Sequence, residues 1–276
     1  MKPLSKAYTA LIFVILYAPI AVMVLFSFNS INSTGVFAGF STYWYRELFR
    51  DGATLAALKN TLVLAVTSSL IATIIGTVAA VGIFKLKSRA AKSAIMTVTN
   101  IPMMNPDIVT GISMMLLFVF VCVRLAGAAS LSFATVLVAH ITFNLPYVIL
   151  SVMPKLRQMD KHLTEAALDL GCTPLQAFFK VELPSIMPGV VSGLIMAFTL
   201  SLDDFVISYF TTGSGCETLP IRIYSMTKKR VTPDMYALST LIFIAVLALL
   251  VLSNLAGSKS EKKSRAKVPA PTEVTK

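Results

Sequence analysis

Three aspartates stand within or beside long apolar runs. Asp107 lies in MMNPDIVTGISMMLLF (103–118), and the neighbours Asp203 and Asp204 lie in AFTLSLDDFVISYF (197–210). No Lys or Arg sits well inside these runs; Arg124 is at an edge. An aspartate at the centre of a membrane helix costs about 2.5–3.5 kcal/mol on insertion scales, so such a residue faces a cavity or a partner. Acids of one sign invite a cation, either a passenger or one from another subunit. Carboxylates accept hydrogen bonds from ammonium groups, and two or three spaced acids match a polyamine. The competing role is local. Asp107 follows Pro106 at a helix start, where it would cap or favour the dipole. Asp203 and Asp204 are ~100° apart on a helix; one is expected to line a path while the other bonds to backbone or to a neighbouring subunit. His140 and Asn144, at i and i+4 in HITFNLPY, read as a packing pair.

A second stretch, EAALDLGCTPLQAFFKVELP (165–184), is polar and glycine-punctuated between two apolar runs. It reads as two short helices. Asp160 or Thr164 caps the first, and Glu165 in its first turn favours the dipole. Gly171 is placed for the left-handed position after the first helix. Thr173–Pro174 supplies an N-cap followed by proline at the first helical position. Leu183–Pro184 is expected to stop the second helix before the next span. Ala166 and Ala167 keep one face slim, and Phe178 and Phe179 offer an exposed aromatic knob. Connections between helices usually take about 2–8 residues. This one, about 153–186, is far longer, and a long loop with its own helices points to function.

Other chemistry is missing. The chain contains no G-x-x-x-x-G-K-[ST], no H-E-x-x-H, no G-x-S-x-G and no C-x-x-C. Its three cysteines, Cys122, Cys172 and Cys216, are too dispersed for a disulfide framework. No catalytic residue, metal site or cofactor is expected on this chain, and any ATP would be used elsewhere.

The elements that must position these residues are membrane spans. The chain has 276 residues, 56% hydrophobic and only 13% charged, with a mean hydropathy of +0.78. A span needs roughly 20 mostly apolar residues. Six candidates appear, at about 8–28, 60–84, 104–123, 131–152, 187–210 and 235–256. Pro102 and Pro106 predict that the third is broken. The first run is too long for a signal h-region and lacks a small-residue cleavage site, so it reads as a retained helix. Six spans put both termini on one side. Placing that side in the cytoplasm puts 16 of the 24 basic residues inside, which fits the positive-inside rule. The net charge of +11 therefore orients the chain and touches lipid; no basic stripe interleaved with aromatics suggests nucleic acid. Residues 1–257 form one six-helix domain, followed by a polar, basic tail (258–276) read as disordered and cytoplasmic. Two outside segments, about 29–59 and 211–234, are long enough to receive an external partner. Tyr43, Trp44 and Tyr45 in the first suit an interfacial helix.

The pattern Glu165-Ala166-Ala167, then Gly171, then Val181-Glu182-Leu183-Pro184 resembles the signature of the ABC importer permeases (binding-protein-dependent, EAA-loop type), with Val181 where isoleucine is usual. In that family the two short helices dock in a groove on a cytoplasmic ATPase. The resemblance implies that Glu165, Ala166, Ala167, Gly171, Leu183 and Pro184 form the ATPase joint, on an all-α, six-helix, MetI-like permease fold. SFNS (27–30), FSTYWYREL (40–48), HITFNLPYV (140–148), AFTLSLDDFVISYFTTG (197–213) and LPIRIYSM (219–226) further resemble the PotC family of spermidine/putrescine permeases. That likeness implies a multi-pass permease of a bacterial cytoplasmic (inner) membrane. Its partners would be a second, PotB-like permease, a PotA-like ATPase dimer carrying ATP and Mg, and an extracytoplasmic PotD-like polyamine-binding protein. Asp107, Asp203 and Asp204 would lie on the substrate path. The departure is Lys228-Lys229-Arg230, positive charge on the outer side. The rival readings are an ABC permease for another substrate such as ferric ion, and a stand-alone secondary transporter.

Overall fold

A computed structural model describes residues 3–33, 35–125, 127, 131–213, 215–229 and 232–265. Its helices are α1 (Pro3–Phe26), α2 (Tyr43–Leu48), α3 (Gly52–Lys85), α4 (Arg89–Met104), α5 (Asp107–Phe118), α6 (Phe133–Gln158), α7 (Lys161–Asp169), α8 (Pro174–Ala177), α9 (Leu183–Asp203), α10 (Val206–Thr211), α11 (Leu219–Lys229) and α12 (Pro233–Arg265). Two π-helical segments, Val119–Leu125 and Phe178–Glu182, extend α5 and join α8 to α9. Among the described residues four helices are long and apolar enough to cross a membrane: Lys6–Phe26, Gly52–Lys85, Phe133–Gln158 and Pro174–Asp203.

The other two expected spans depart from the six-span count. The third is a bent pair, Arg89–Met104 with Asp107–Cys122, at 103°. The bend falls at Asn105–Pro106, since the residue before proline is driven out of the α region; Asn105 is extended at ψ 139°. Pro102 lies inside α4 and does not break it. The sixth corresponds to the apolar part of α12, Pro233–Ala248. That helix runs on to Arg265, into the segment expected to be disordered; residues 266–276 lie outside the described residues. The fourth span also outruns its expected end, because α6 continues to Gln158 through Pro146 and Pro154. The loop expected from 153 therefore starts after Gln158.

The chain forms two compact units. One holds Thr61–Cys216. Its main core joins Ala72, Ala80, Val81 and Ile83 of α3, Val148, Val152, Met153 and Leu156 of α6, and Ile186 and Ala197 of α9. Small residues let these backbones approach, as interfaces between membrane helices require. Gly189 and Gly193 form a G-x-x-x-G on α9. A Cβ on Gly189 would lie 2.9 Å from Ser151 O and 2.8 Å from Lys155 Cγ, and one on Gly193 would lie 3.3 Å from Val148 Cα. Gly189→Val is thus expected to force α6 and α9 apart, at about 1–3 kcal/mol for overpacking. Gly82→Ala, with nothing within 4 Å of the added atom, is the control. Thermal unfolding in detergent should show a lower Tm for the first and an equal or slightly higher Tm for the second, since alanine favours a helix interior over glycine.

The other unit holds the chain up to Asn60 together with Glu217–Ala248. Its core is Leu48, Ala57, Leu219 and Leu238. Buried Asn29 organises the turn after α1: its amide donates to Ser33 O and Val36 O, both at 2.8 Å, and accepts from Ala38 N–H at 3.0 Å. Of the three aromatics expected at the lipid interface, only Tyr43 is exposed, at 55%. Trp44 Nε1–H donates to Asn29 O at 2.8 Å, and the Tyr45 hydroxyl is 2.8 Å from Ser27 Oγ. Their polar tips serve the turn, because buried donors need partners. The two segments expected on the outer side meet within this unit. Arg222 Nη2 is 3.1 Å from Asp51 Oδ2, and Asn60 Nδ2 donates to Glu217 O at 3.1 Å. The Thr54 hydroxyl, then the Ala53 N–H and the Arg222 guanidinium, hold the Asp51 carboxyl below its ordinary pKa, against the opposing effect of partial burial. In the basic cluster, Lys228 Nζ sits 4.6 Å from the Tyr224 ring centre, and Arg230 lies outside the described residues.

Candidate functional site

The first part of the site is the hairpin of α7 and α8. Asp160, not Thr164, is the cap: its side chain accepts from His162 N–H at 3.0 Å. Gly171 has φ +85°. Cys172 N–H donates to Ala167 O at 3.1 Å and Gly171 N–H to Leu168 O at 2.9 Å, the paired bonds of a Schellman motif. Thr173 and Gln176 then form a reciprocal capping box at 3.0 and 3.3 Å, with Pro174 in the first turn. The turn is thus specified by residues 160, 171, 173, 174 and 176 acting locally.

The faces of this hairpin are unequal. Ala167 is buried, whereas Glu165 and Ala166 are exposed. Leu170 is 86% exposed, Leu175 71% and Phe179 61%. Phe178, expected beside Phe179 as a knob, instead packs against the main core. Four apolar or slim groups, Ala166, Leu170, Leu175 and Phe179, therefore face outward around one turn, a surface suited to a protein partner.

Leu183–Pro184 does not stop the second helix. Helical structure is continuous from Pro174 to Asp203. The π segment absorbs the proline: Leu183 N–H bonds to Phe178 O, five residues back, so the wider turn relieves the clash that Pro184 would bring to an α-helix. Leu183 packs on the main core and Pro184 is exposed. At the root of this helix Glu182, with a side chain 3% exposed, pairs with Lys85 Nζ at 2.9 Å. Sequence reasoning missed the pair, because its members are brought together only by packing of α3 against α9.

The second part of the site lies at the far end of the same helical run. Asp203 is the last residue of α9 and is exposed. Asp204 is extended, at φ −64° and ψ 121°, so the two acids straddle a helix break and not a helix turn. Asp204 accepts from Ser208 N–H at 2.8 Å and Ile207 N–H at 3.3 Å. Of the pair, it is the one that bonds to backbone, capping α10. His140 Nε2 stands 3.4 Å from Asp204 Oδ2. Asp107 is exposed at the start of α5. Tyr147 packs beside the cluster of Ala139, Phe143 and Ile207, as does Leu200, one turn before Asp203. The same cluster takes Met114 and Phe118 from α5, the helix that Asp107 begins, and Leu200 from α9, the helix that Asp203 ends. Among the described residues, no group of three or more His, Cys, Asp or Glu could hold a metal ion.

The run Pro174–Asp203 is 30 residues, about 45 Å at 1.5 Å per residue. It carries the exposed hairpin face at one end and the acidic corner at the other. The two are joined by unbroken helical structure as far as Asp203.

Residues 72–265 match the family described as binding-protein-dependent transport system inner membrane component. The putrescine transport system permease protein PotI of Escherichia coli K12 is 42% identical over 234 residues, 85% of this chain and 83% of that one. The spermidine/putrescine transport system permease protein PotC of Haemophilus influenzae is 38% identical over 257 residues, 93% of this chain and 97% of that one. In three dimensions the chain resembles a bacterial ABC transporter that imports the acidic polysaccharide alginate, with TM-score 0.69 and 17% identity over 92% of this chain and 94% of that one; this likeness bears on the fold. The apolar helices, the hairpin and these matches agree on a multi-pass membrane protein that transports and does not catalyse, and the chain belongs to the family of inner-membrane components of binding-protein-dependent transport systems.

Proposed function

We propose that the chain is a permease subunit of an ATP-driven polyamine importer carrying spermidine or putrescine. The observation that carries this reading is its 42% and 38% identity, over most of its length, to permeases named for putrescine and for spermidine/putrescine transport. Exposed Asp107 and Asp203 supply carboxylates that suit ammonium groups. Asp204 supports them from the helix break. Glu165, Ala166, Ala167 and Gly171 dock on a PotA-like ATPase dimer, which binds the ATP and Mg. Leu183 and Pro184 lie at the root of that joint. A PotB-like permease completes the path, and a PotD-like binding protein delivers the polyamine on the side away from the hairpin. Both termini then lie in the cytoplasm.

ATP closes the ATPase dimer, the hairpin moves with it, and the continuous helix carries the motion to the acidic corner. Polar contacts in the path stay few, because a tight site would slow release. The test is uptake of labelled spermidine and putrescine in cells lacking their own polyamine importers. The chain is expressed with its partner subunits, with an active or an inactive ATPase. Uptake only with the active ATPase is expected. Uptake with the inactive one would favour a secondary transporter. Competition by ferric ion and not by spermidine would move the substrate to metals.

A further inference from the structure

A buried polar cluster surrounds the helix break that presents Asp203. Its hub is Ser201 Oγ, on α9. Asn144 Nδ2 lies 2.8 Å from it, Ser68 Oγ 2.9 Å and His140 Nδ1 3.1 Å. On its other edge His140 Nε2 is 3.0 Å from Ser208 Oγ on α10 and 3.4 Å from Asp204 Oδ2. Ser68, Asn144, His140, Ser201 and Ser208 are each at most 2% exposed. Polar groups so buried need a donor or acceptor partner; within this cluster Asn144 Oδ1 has none among the described residues.

For a neutral imidazole the partners set the direction of the bonds. Asp204 already accepts two backbone N–H groups and faces Nε2 as a further acceptor, so the ring proton sits on Nε2. Nδ1 is then an acceptor, and among its neighbours only the Ser201 O–H supplies it. Ser201 has spent its one proton, so Asn144 and Ser68 both donate to it. The bonds run one way, from α3 and α6 through Ser201 on α9 and His140 on α6 to Ser208 and Asp204 at the start of α10. His140 thus grips both sides of the break.

We propose that His140 is a positioning residue for transport: it clamps the junction of α9 and α10 and thereby holds the Asp203 carboxylate at the corner where the passenger passes. This rests on the reading of Asp203 as a path residue. A helix break in a membrane leaves backbone groups to be satisfied and a joint free to flex. Asp204 meets the first need and His140 the second, since a binding group is only as well placed as the residues locking it.

The experiment uses the complete importer in liposomes, with partner permease, ATPase and binding protein, and reads ATP hydrolysed per spermidine carried. That ratio does not depend on how much complex assembles. His140→Leu is expected to raise it about tenfold, the equivalent of one misplaced path contact. His140→Gln should recover most of the loss, because its amide can accept from Ser201 and donate toward Asp204. Asp203→Asn should raise the ratio by a similar factor, and the double variant His140→Leu/Asp203→Asn no further than the worse single. Multiplying effects would overturn the proposal and leave Asp203 in the path. An unchanged ratio in Asp203→Asn would remove Asp203 from the path and the proposal with it. An unchanged ratio in His140→Leu would overturn the proposal alone. Should His140→Leu fail to assemble, Ser201→Ala removes the hub hydroxyl with little change in volume and is run through the same cycle, with the same outcomes deciding.

Discussion

Gly171→Val is expected to abolish polyamine uptake while leaving the permease in the membrane at its normal amount. Gly171 sits at φ +85°, where a residue with a Cβ costs about 1–2 kcal/mol and a β-branched one more. A Cβ there would meet nothing within 4 Å, so the cost is conformational and not a clash. It falls on the turn that the Cys172–Ala167 and Gly171–Leu168 bonds close. A turn disfavoured by 1–2 kcal/mol loses roughly 5–30-fold in population. Every surface group that needs the turn, from Ala166 to Leu175, loses its relative placement. A graded series separates backbone from side-chain effects. Gly171→Asn should be tolerated best, because asparagine visits the left-handed region; Gly171→Ala should be intermediate; Gly171→Val should fail. Uptake, membrane content and co-purification with the ATPase are the measurements. Uptake falling in the order of side-chain volume, with Asn worse than Ala, would contradict the conformational account. Loss of membrane content with Val would show that the turn serves insertion and not coupling.

The hairpin was legible in the sequence because its determinants are local. Asp160, Gly171, Thr173 and Pro174 each act within four residues of themselves, and each appears where its type predicts. The break before α5 was legible for the same reason, through Pro106. Proline was a poor guide where tertiary packing could absorb it. Pro184 stands in a continuous helix because a π turn precedes it, and Pro102, Pro146 and Pro154 lie inside helices. Helix α4 went unread because Lys92, Thr97, Thr99 and Asn100 dilute its apolar residues below what a span shows. That one of the two adjacent acids bonds to backbone was legible, but not that it is Asp204. One residue's step along a helix says about 100°, whereas Asp204 leaves the helix altogether. His140 and Asn144 read as a packing pair; that they meet Ser68, Ser201 and Ser208 depends on how α3, α6, α9 and α10 are brought together, which no short-range pattern encodes. Trp44 and Tyr45 looked like interfacial anchors because their composition is right for one; the buried Asn29 turn claims them first.

Lys85→Met should destabilise the protein more than Glu182→Gln, although Lys85 is the more exposed partner. The lysine side chain is 53% exposed and the glutamate 3%. Removing the glutamate charge leaves an ammonium group that reaches water at little cost, under about 1 kcal/mol, as for exposed pairs. Removing the lysine leaves a carboxylate with no compensating charge inside the protein. Breaking a buried pair from that side costs about 3–5 kcal/mol, and the half-exposed position of Lys85 puts the expected loss near the lower figure, about 3 kcal/mol. The location makes the difference functional. Glu182 closes the π turn at the root of the hairpin, and Lys85 ends α3, so the pair ties the root of the hairpin to the neighbouring helix. Thermal unfolding in detergent, beside uptake by the assembled importer, reads both effects. A much lower Tm for Lys85→Met, with uptake lost, and a near-parental Glu182→Gln are expected. Restoring Lys85→Met by adding Glu182→Gln would show that the penalty was the stranded carboxylate. Equal losses in the two single variants would instead mean that the junction is held by the net attraction of the ion pair, and that the buried position of Glu182 is secondary.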